Sequence, residues 1–222
     1  MSRDNYALIG SILQSANKNT IVWGSGLLFV DSYPKEQPKK ICAVRGPLSR
    51  KVLVEHGIAC PEVYGDPILL LPKFYQPQVK QRYKIGIIPH IHDENNEILK
   101  QYQSVYPDSI LISMKHYGKW QEIVDKIASC DLILSSSLHG LIVSDAYGVP
   151  NKWIEFNNQA EDKKFKFLDY FASVRRKTTR PTIITTVSDL DIVLGQRSEK
   201  EEVDIDLQPL IESCPFKLPF NI

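Results

Sequence analysis

Residues 130–150 read CDLILSSSLHGLIVSDAYGVP, and the remaining elements of the fold can be placed around them. The run Asp131–Ser135 is short and apolar, as in a buried strand. The apolar pattern of about Leu138–Tyr147 predicts a helix, which the Gly148–Pro150 sequence ends. A strand that leads through a short serine turn into a helix is typical of a parallel α/β sheet.

The same alternation of strands and helices continues on both sides of this stretch. Residues 84–88, 109–113 and 151–156 have strand patterns, and residues 94–104 and 119–129 have helical ones. In the latter helix, apolar residues recur at i, i+3, i+4, i+7 and i+8. The second half of the chain thus reads β-α-β-α-β-α-β, which is the order of a Rossmann-like, doubly wound domain.

The first half of the chain holds a partial set of the same elements. Residues 20–23 and 40–44 predict strands, and residues 48–56 predict a helix that Gly57 ends. A polar segment with two prolines, residues 72–84, separates the two halves. We therefore predict an α/β protein with two Rossmann-like domains. The N-terminal domain, residues 1–72, is partial, and a linker, residues 73–84, joins it to the C-terminal domain, residues 85–200. A tail, residues 201–222, is expected to pack back on the first domain.

Composition and charge exclude several classes of protein. The chain has 222 residues, of which 43% are hydrophobic and 24% charged, as in an ordinary globular protein. Its 27 Lys and Arg against 26 Asp and Glu give a net charge of +1, so it has no global attraction for nucleic acid. The basic residues between 163 and 180 are either a solvated helix face or a rim that meets an anionic acceptor or the membrane surface.

Cysteine spacing and hydropathy predict that the chain is cytosolic. The four cysteines form no CxxC pair, which argues against a zinc ribbon or a disulfide scaffold and predicts reduced thiols. No apolar run approaches the roughly 18 residues that span a bilayer, and the start of the chain lacks the apolar segment of a signal peptide. We expect a cytoplasmic protein, with the inner face of the membrane as the one alternative site.

Candidate site residues follow the predicted strands, because ligands of open parallel sheets bind outside the carboxyl ends of the strands. Small, hydroxyl, basic and imidazole groups dominate there, which suits a small anionic ligand better than a metal. The residues that we single out as substrate contacts or catalytic groups are Gly24, Ser25, Gly26, Arg45, Asp66, His90, Ser135, Ser136, Ser137, His139, Gly140 and Glu155.

The turn Ser135–Gly140 is the strongest element of this set. Free backbone N–H groups at a strand-to-helix turn form an anion site, and Gly140 would let a ligand approach the first helical turn. The alternative is that the serines only cap the helix and that His139 is a satisfied core histidine. A serine nucleophile is disfavoured, because Ser137 and His139 do not face each other on a helix and the G-x-S-x-G elbow is missing.

A metal site is also disfavoured. His90 and His92 have the H-x-H spacing of some metal hydrolases, but no further cluster supplies the third ligand that a catalytic metal needs. Arg45 follows a strand and precedes a helix, where a guanidinium can hold a carboxylate or phosphate bidentately. A surface salt bridge is the alternative for this arginine.

Several motifs together resemble the polysaccharide pyruvyltransferase family. They are Val22-Trp-Gly-Ser-Gly26, Val44-Arg-Gly-Pro-Leu-Ser-Arg50, Val63-Tyr-Gly-Asp-Pro67, Ile88-Pro-His90, the whole of residues 130–150, and Trp153-Ile-Glu155. The resemblance covers roughly residues 6–156, and its most specific part is the Ser-Ser-Leu-His-Gly segment with its Asp-Ala-Tyr-Gly-Val-Pro ending.

The resemblance implies the transfer of pyruvate from phosphoenolpyruvate to a sugar hydroxyl pair, which forms a ketal on a cell-surface polysaccharide or its lipid-linked precursor. It also implies two Rossmann-like halves that face a cleft, as in GT-B-type glycosyltransferases. Phosphoenolpyruvate is the donor substrate, and no cofactor is expected. Arg45 and the helix start at Ser136–His139 would hold its two anionic groups, and His139 would be the general acid/base or a phosphate contact.

Two departures from the family pattern leave alternatives open. Many members have arginine at the position that Ser137 occupies, and the glycine-rich Gly-Asp stretch that usually opens the family is not found before Tyr6. The sequence therefore predicts an incomplete N-terminal half. Two alternative hypotheses remain. The first is a GT-B-like glycosyltransferase that uses a nucleotide sugar, in which Glu155 would contact the ribose. The second is a shortened, non-catalytic family member.

Overall fold

A computed structural model describes residues 3–115, 118–156, 164–195 and 201–219. The chain forms two compact units. The first comprises Met1–Leu70, Ala160–Lys177 and Glu202–Ile222, and the second comprises Leu71–Gln159 and Thr178–Glu201. Of the basic stretch 163–180, Lys163 lies outside the described residues.

The first unit is built on a parallel sheet, whose described part has three strands in the order β1-β2-β3. These strands are β1 (Asn5–Ala7), β2 (Thr20–Trp23) and β3 (Lys40–Ala43), and an isolated parallel bridge between Val44 and Tyr64 extends the pattern. The helices are α1 (Pro47–Glu55), α5 (Phe165–Ser173) and α7 (Gln208–Glu212), with 3-10 helices at Leu13–Ser15 and Pro67–Lys73.

Apolar residues from distant parts of the chain form the core of the first unit. One cluster joins the strands to α1 through Val22, Val44 and Leu53. In a second cluster, Leu210 and Ile211 of α7 pack against sheet residues that are not part of the first cluster. The indole N–H of Trp23 also donates to the carbonyl of Leu210 at 2.9 Å. The C-terminal helix is therefore part of this core.

The second unit contains a longer parallel sheet, which has five strands in the described ranges, ordered β5-β4-β6-β7-β8. The strands are β4 (Tyr83–Ile88), β5 (Ser109–Leu111), β6 (Cys130–Ser135), β7 (Asn151–Phe156) and β8 (Thr182–Ile184). The helices are α2 (Glu97–Val105), α3 (Trp120–Ala128), α4 (Leu138–Ala146) and α6 (Val187–Gly195). The register pairs Ile88 with Ser135, so the ends of β4 and β6 lie side by side.

The α/β class and the parallel sheets are confirmed, and three elements differ from the sequence-based expectations. Strand β1 lies before residues 20–23, the first strand that the sequence predicts. Strand β8 adds a fifth strand to the four that the sequence predicts for the second half of the chain. Helix α5 lies in the first unit and not with residues 85–200, because its Asp169 is buried against that unit's Arg45. Among the helices described, none is long and apolar enough to cross a membrane.

Candidate functional site

The second unit brings two of the predicted turns together at the carboxyl edge of its sheet. His90 follows β4 and Ser136 follows β6, and the backbone N–H of His90 donates to the Oγ of Ser136 at 2.8 Å. The N–H of Ser136 in turn donates to the carbonyl of Ile88 at 3.1 Å. The parallel pairing of β4 and β6 therefore places His90 beside the start of α4.

The three serines of this turn do not cap helix α4. Ser135 is fully buried, its Oγ lies 2.9 Å from the carbonyl of Ile88 and 2.8 Å from that of Ser137, and it accepts from the N–H of Ser137. Ser136 donates to Asp93 at 2.8 Å. Ser137 occupies the N-cap position with an extended backbone, yet its side chain makes no capping hydrogen bond. No serine hydroxyl therefore competes with an anion for the first-turn N–H groups.

His139 and Gly140 lie in the first turn of α4. His139 is half-buried at the positive end of the helix, and its Nε2 atom is shielded from solvent. Gly140 has a different role from the one expected, since a Cβ there would lie 2.4 Å from the Oγ of Ser135 and 2.9 Å from the side chain of Ile88. The missing side chain lets the helix pack on the strand ends and does not face a ligand.

The turn after β4 carries His90, which is half-buried like His139. The backbone N–H of His92 donates to Nδ1 of His90 at 3.4 Å, and the two rings lie 5.0 Å apart. Because a backbone N–H can only donate, the neutral His90 ring carries its proton on Nε2. This nitrogen is a hydrogen-bond donor, which suits a phosphate or carboxylate oxygen.

Glu155 lies inside strand β7 and is buried, with its backbone paired to Ile183. It is the next-to-last residue of the strand, and a contact of its carboxylate with a ribose stays a prediction. No group of three or more metal-ligating side chains occurs among the described residues.

The glycine turn of the first unit is packed against protein atoms. Gly24 has φ +93°, and a Cβ there would lie 2.1 Å from the ring of Pro67. A Cβ at Gly26 would lie 2.4 Å from the guanidinium carbon of Arg45. Ser25 is fully buried and donates to the carbonyl of Gly10 at 2.9 Å. The glycines are needed for this packing, and their predicted role in lining a cleft stays a prediction.

The guanidinium of Arg45 is bound by other residues of the first unit. Its side chain and that of Asp169 are both 0% exposed, and their closest nitrogen and oxygen lie 2.9 Å apart. The guanidinium also donates to the Oγ of Ser11 at 2.7 Å and to the carbonyl of Leu27 at 2.8 Å. Asp169 further accepts from the N–H and the Oγ of Ser49. Nε and Nη2 of Arg45 both approach Oδ2 of Asp169, so the carboxylate partner of this arginine in the structure lies within the protein.

Asp66 is the third strand-end residue of the first unit. It is fully buried, and its Oδ1 accepts from the N–H of Ile68 at 3.0 Å. Burial raises the pKa of this carboxyl from 3.8 to about 7, although the Ile68 hydrogen bond and the charge of Arg45 act in the opposite direction. The group therefore changes charge near neutral pH.

The basic stretch 163–180 is partly built into the first unit. Lys164 and Arg176 are buried, and the guanidinium of Arg176 lies 4.8 Å from the centre of the Phe171 ring. Arg175 pairs with Asp204 at 2.7 Å on the surface.

Sequence reasoning missed Asp93 and Asp169, which hold Ser136 and Arg45. Asp93 could have been found from its place directly after the Pro-His-Ile-His turn. Asp169 gives no local signal, because it lies 124 residues from its partner.

Comparison with known proteins gives a consistent result. A family profile described as polysaccharide pyruvyl transferase matches residues 2–158. An uncharacterized protein of Acanthamoeba polyphaga mimivirus is 30% identical over 208 residues, which are 91% of this chain and 71% of that protein. The succinoglycan biosynthesis protein ExoV of Rhizobium meliloti (strain 1021) is 28% identical over 182 residues, which are 78% of this chain and 54% of that protein. The chain thus spans about half the length of the second relative.

Proposed function

The chain belongs to the polysaccharide pyruvyl transferase family, and we propose that it transfers pyruvate from phosphoenolpyruvate to a pair of sugar hydroxyls. The product would be a pyruvate ketal on a cell-surface polysaccharide or on its lipid-linked precursor. Family membership supports the class of reaction, and the relative that takes part in succinoglycan biosynthesis supports a polysaccharide acceptor.

One observation carries the assignment of the donor site. The first turn of α4 is left without a side-chain cap although three serines precede it, and the hydroxyls of Ser135 and Ser136 bond elsewhere. Uncapped N–H groups at the positive end of a helix bind phosphate or carboxylate. We assign one anionic group of phosphoenolpyruvate to this helix start, where His139 lies in the first turn and the half-buried His90 lies in the neighbouring turn after β4.

The reaction needs a proton donor at the same place. Protonation of carbon 3 of the enol makes carbon 2 electrophilic, and a sugar hydroxyl then attacks carbon 2. Phosphate leaves, the second hydroxyl closes the ketal, and the two hydroxyl protons balance the one taken up by carbon 3 and the one taken up by phosphate. We assign the proton transfer to His139, because it is a half-buried imidazole in the helical turn that would hold the donor.

The acceptor and the site of action follow from the same proposal. A sugar on a lipid carrier would bring the reaction to the cytoplasmic face of the membrane. Of the basic stretch 163–180, the exposed part that includes Lys177 would face the anionic headgroups, while Arg176 is committed to the fold.

Calorimetric titration of phosphoenolpyruvate and an assay of phosphate release with lipid-linked oligosaccharide acceptors test the proposal. Phosphoenolpyruvate is expected to bind, and His139→Ala should lower turnover by about 10²–10⁴-fold, the usual loss for a general acid. The matched control is His56→Ala, because His56 is an exposed histidine whose ring bonds its own helix. Binding of a nucleotide sugar in place of phosphoenolpyruvate would contradict the proposal.

A further inference from the structure

A chain of hydrogen bonds joins the turn after β4 to the turn before α4. The hydroxyl of Ser136 donates to Oδ2 of Asp93 at 2.8 Å, and the N–H of His90 donates to the Oγ of Ser136 at 2.8 Å. A serine hydroxyl has one proton and two lone pairs. Because the Asp93 carboxylate takes that proton, a lone pair of Ser136 is left for the N–H of His90.

We propose that Asp93 is a positioning residue that holds the His90 ring at the donor site through Ser136. The inference rests on the proposed function and adds a residue to the same site. Asp93 also closes the turn directly, since its backbone N–H donates to the carbonyl of His90 at 2.7 Å. His90 is thus fixed on both sides of its peptide by Asp93 and the serine that Asp93 orients.

The same carboxylate affects where the hydroxyl of Ser136 and the ring of His90 are directed. It draws the hydroxyl of Ser136 away from α4, so this serine does not occupy the N–H groups of the helix. With the turn in place, the N–H of His92 reaches Nδ1 of His90, and Nε2 becomes the donor. Asp93 therefore organises two donors, the helix start and the His90 ring, without itself contacting the substrate.

Glu94 offers a matched control within the same turn. Its carboxylate accepts from the hydroxyl of Ser113 at 2.5 Å, which ties the turn to the end of β5. Both Asp93 and Glu94 are half-buried acids whose partner is a serine, but Glu94 bonds a serine outside the turn before α4. If the two acids only stabilised the turn, loss of either one would change the exchange of the His90 amide and the binding of phosphoenolpyruvate to the same extent.

The experiment compares Asp93→Ala, Asp93→Asn and Glu94→Gln in the full chain. Nuclear magnetic resonance measures the exchange of the His90 amide hydrogen, and calorimetry measures the dissociation constant for phosphoenolpyruvate. Asp93→Ala is expected to speed exchange of the His90 amide and to raise the dissociation constant, each by about 10-fold, the usual effect of one lost hydrogen bond to a charged group. Asp93→Asn keeps an acceptor oxygen for Ser136 and should recover most of both losses, whereas Glu94→Gln should change neither by more than about twofold.

A double-mutant cycle with His90→Ala separates positioning from general stability. If Asp93 acts through His90, then Asp93→Ala should weaken phosphoenolpyruvate binding less in the His90→Ala background than in the wild type, and the part that remains is the effect on the helix start. An unchanged His90 amide in Asp93→Ala, or an equal loss of binding in Glu94→Gln, would overturn the inference. Failure of the wild-type chain to bind phosphoenolpyruvate would overturn the proposed function, and the amide exchange would still decide whether Asp93 positions His90.

Discussion

Replacing Asp169 by Asn should cost the first unit a large part of its stability. The side chains keep the same shape, but the charge that compensates Arg45 is removed. Both members of the pair are 0% exposed, so the guanidinium would be left as an uncompensated charge away from water. Removal of one partner of a buried ion pair costs about 3–5 kcal/mol.

The hydrogen bonds around the pair place the expected loss at the lower end of that range. The Asn oxygen can still accept from the N–H of Ser49, which bonds Oδ1 of Asp169 at 2.8 Å. The amide group that replaces Oδ2 cannot accept from Arg45, which approaches that oxygen at 3.0 Å through Nε. We therefore expect a loss of about 3 kcal/mol in the free energy of unfolding.

Urea denaturation followed by circular dichroism measures the loss, with hydrogen exchange of residues 41–53 as the probe of the first unit. The control is Asp4→Asn, which removes the charge from a pair with Lys39 whose side chains are 37% and 48% exposed. That change should cost less than about 1 kcal/mol. A second variant, Asp169→Asn with Arg45→Met, removes both charges and should be no less stable than the single change. A loss below about 1 kcal/mol for Asp169→Asn would refute the reasoning.

Three further predictions follow from single residues. Asp66→Asn should match the wild type near pH 4 and be more stable than the wild type above pH 7. The Asp66 carboxyl has a pKa of about 7 in the folded chain and 3.8 in the unfolded chain, so the free energy of unfolding of the wild type falls as pH rises between these values. Thermal unfolding across this pH range tests it, and an equal stability difference at both ends would contradict it. Gly140→Ala should destabilise the second unit by about 1–3 kcal/mol, since the new Cβ would meet Ser135 and Ile88, and urea unfolding checks this loss. Gly57→Ala should cost only about 1 kcal/mol, because φ is +75° but the space around the Cβ is open, and a larger loss in the same assay would show a contact there.

Much of the second unit could be predicted from local patterns. Strand β6, the serine turn and helix α4 follow from an apolar run, small polar residues and a second apolar run that Gly148 ends. Strand β8 could not be predicted in the same way. It has three residues between polar neighbours, and it is stabilised by pairing with β7, a contact that local sequence does not specify.

The side-chain roles at the strand ends were harder to predict than their positions. Residue types correctly indicated that polar groups gather after the strands, but not which of them reach the surface. Arg45 has the chemistry of an anion ligand and finds its carboxylate within the protein, on a helix more than 100 residues away. The serines before α4 have the chemistry of helix caps, and two of them bond a carbonyl or Asp93 instead. Such choices depend on tertiary neighbours.

The division of the first unit among separate parts of the chain has a consequence for synthesis on the ribosome. Its core includes Leu210 and Ile211, so it cannot be completed until residues up to 211 have left the exit tunnel. Among the described residues, the core cluster of the second unit extends to Val193, so it can form earlier. Multidomain chains generally fold from the N-terminal domain onward. Here the order should be reversed, and the apolar strands β1–β3 must wait, exposed to chaperones and proteases, until helix α7 has also been synthesised.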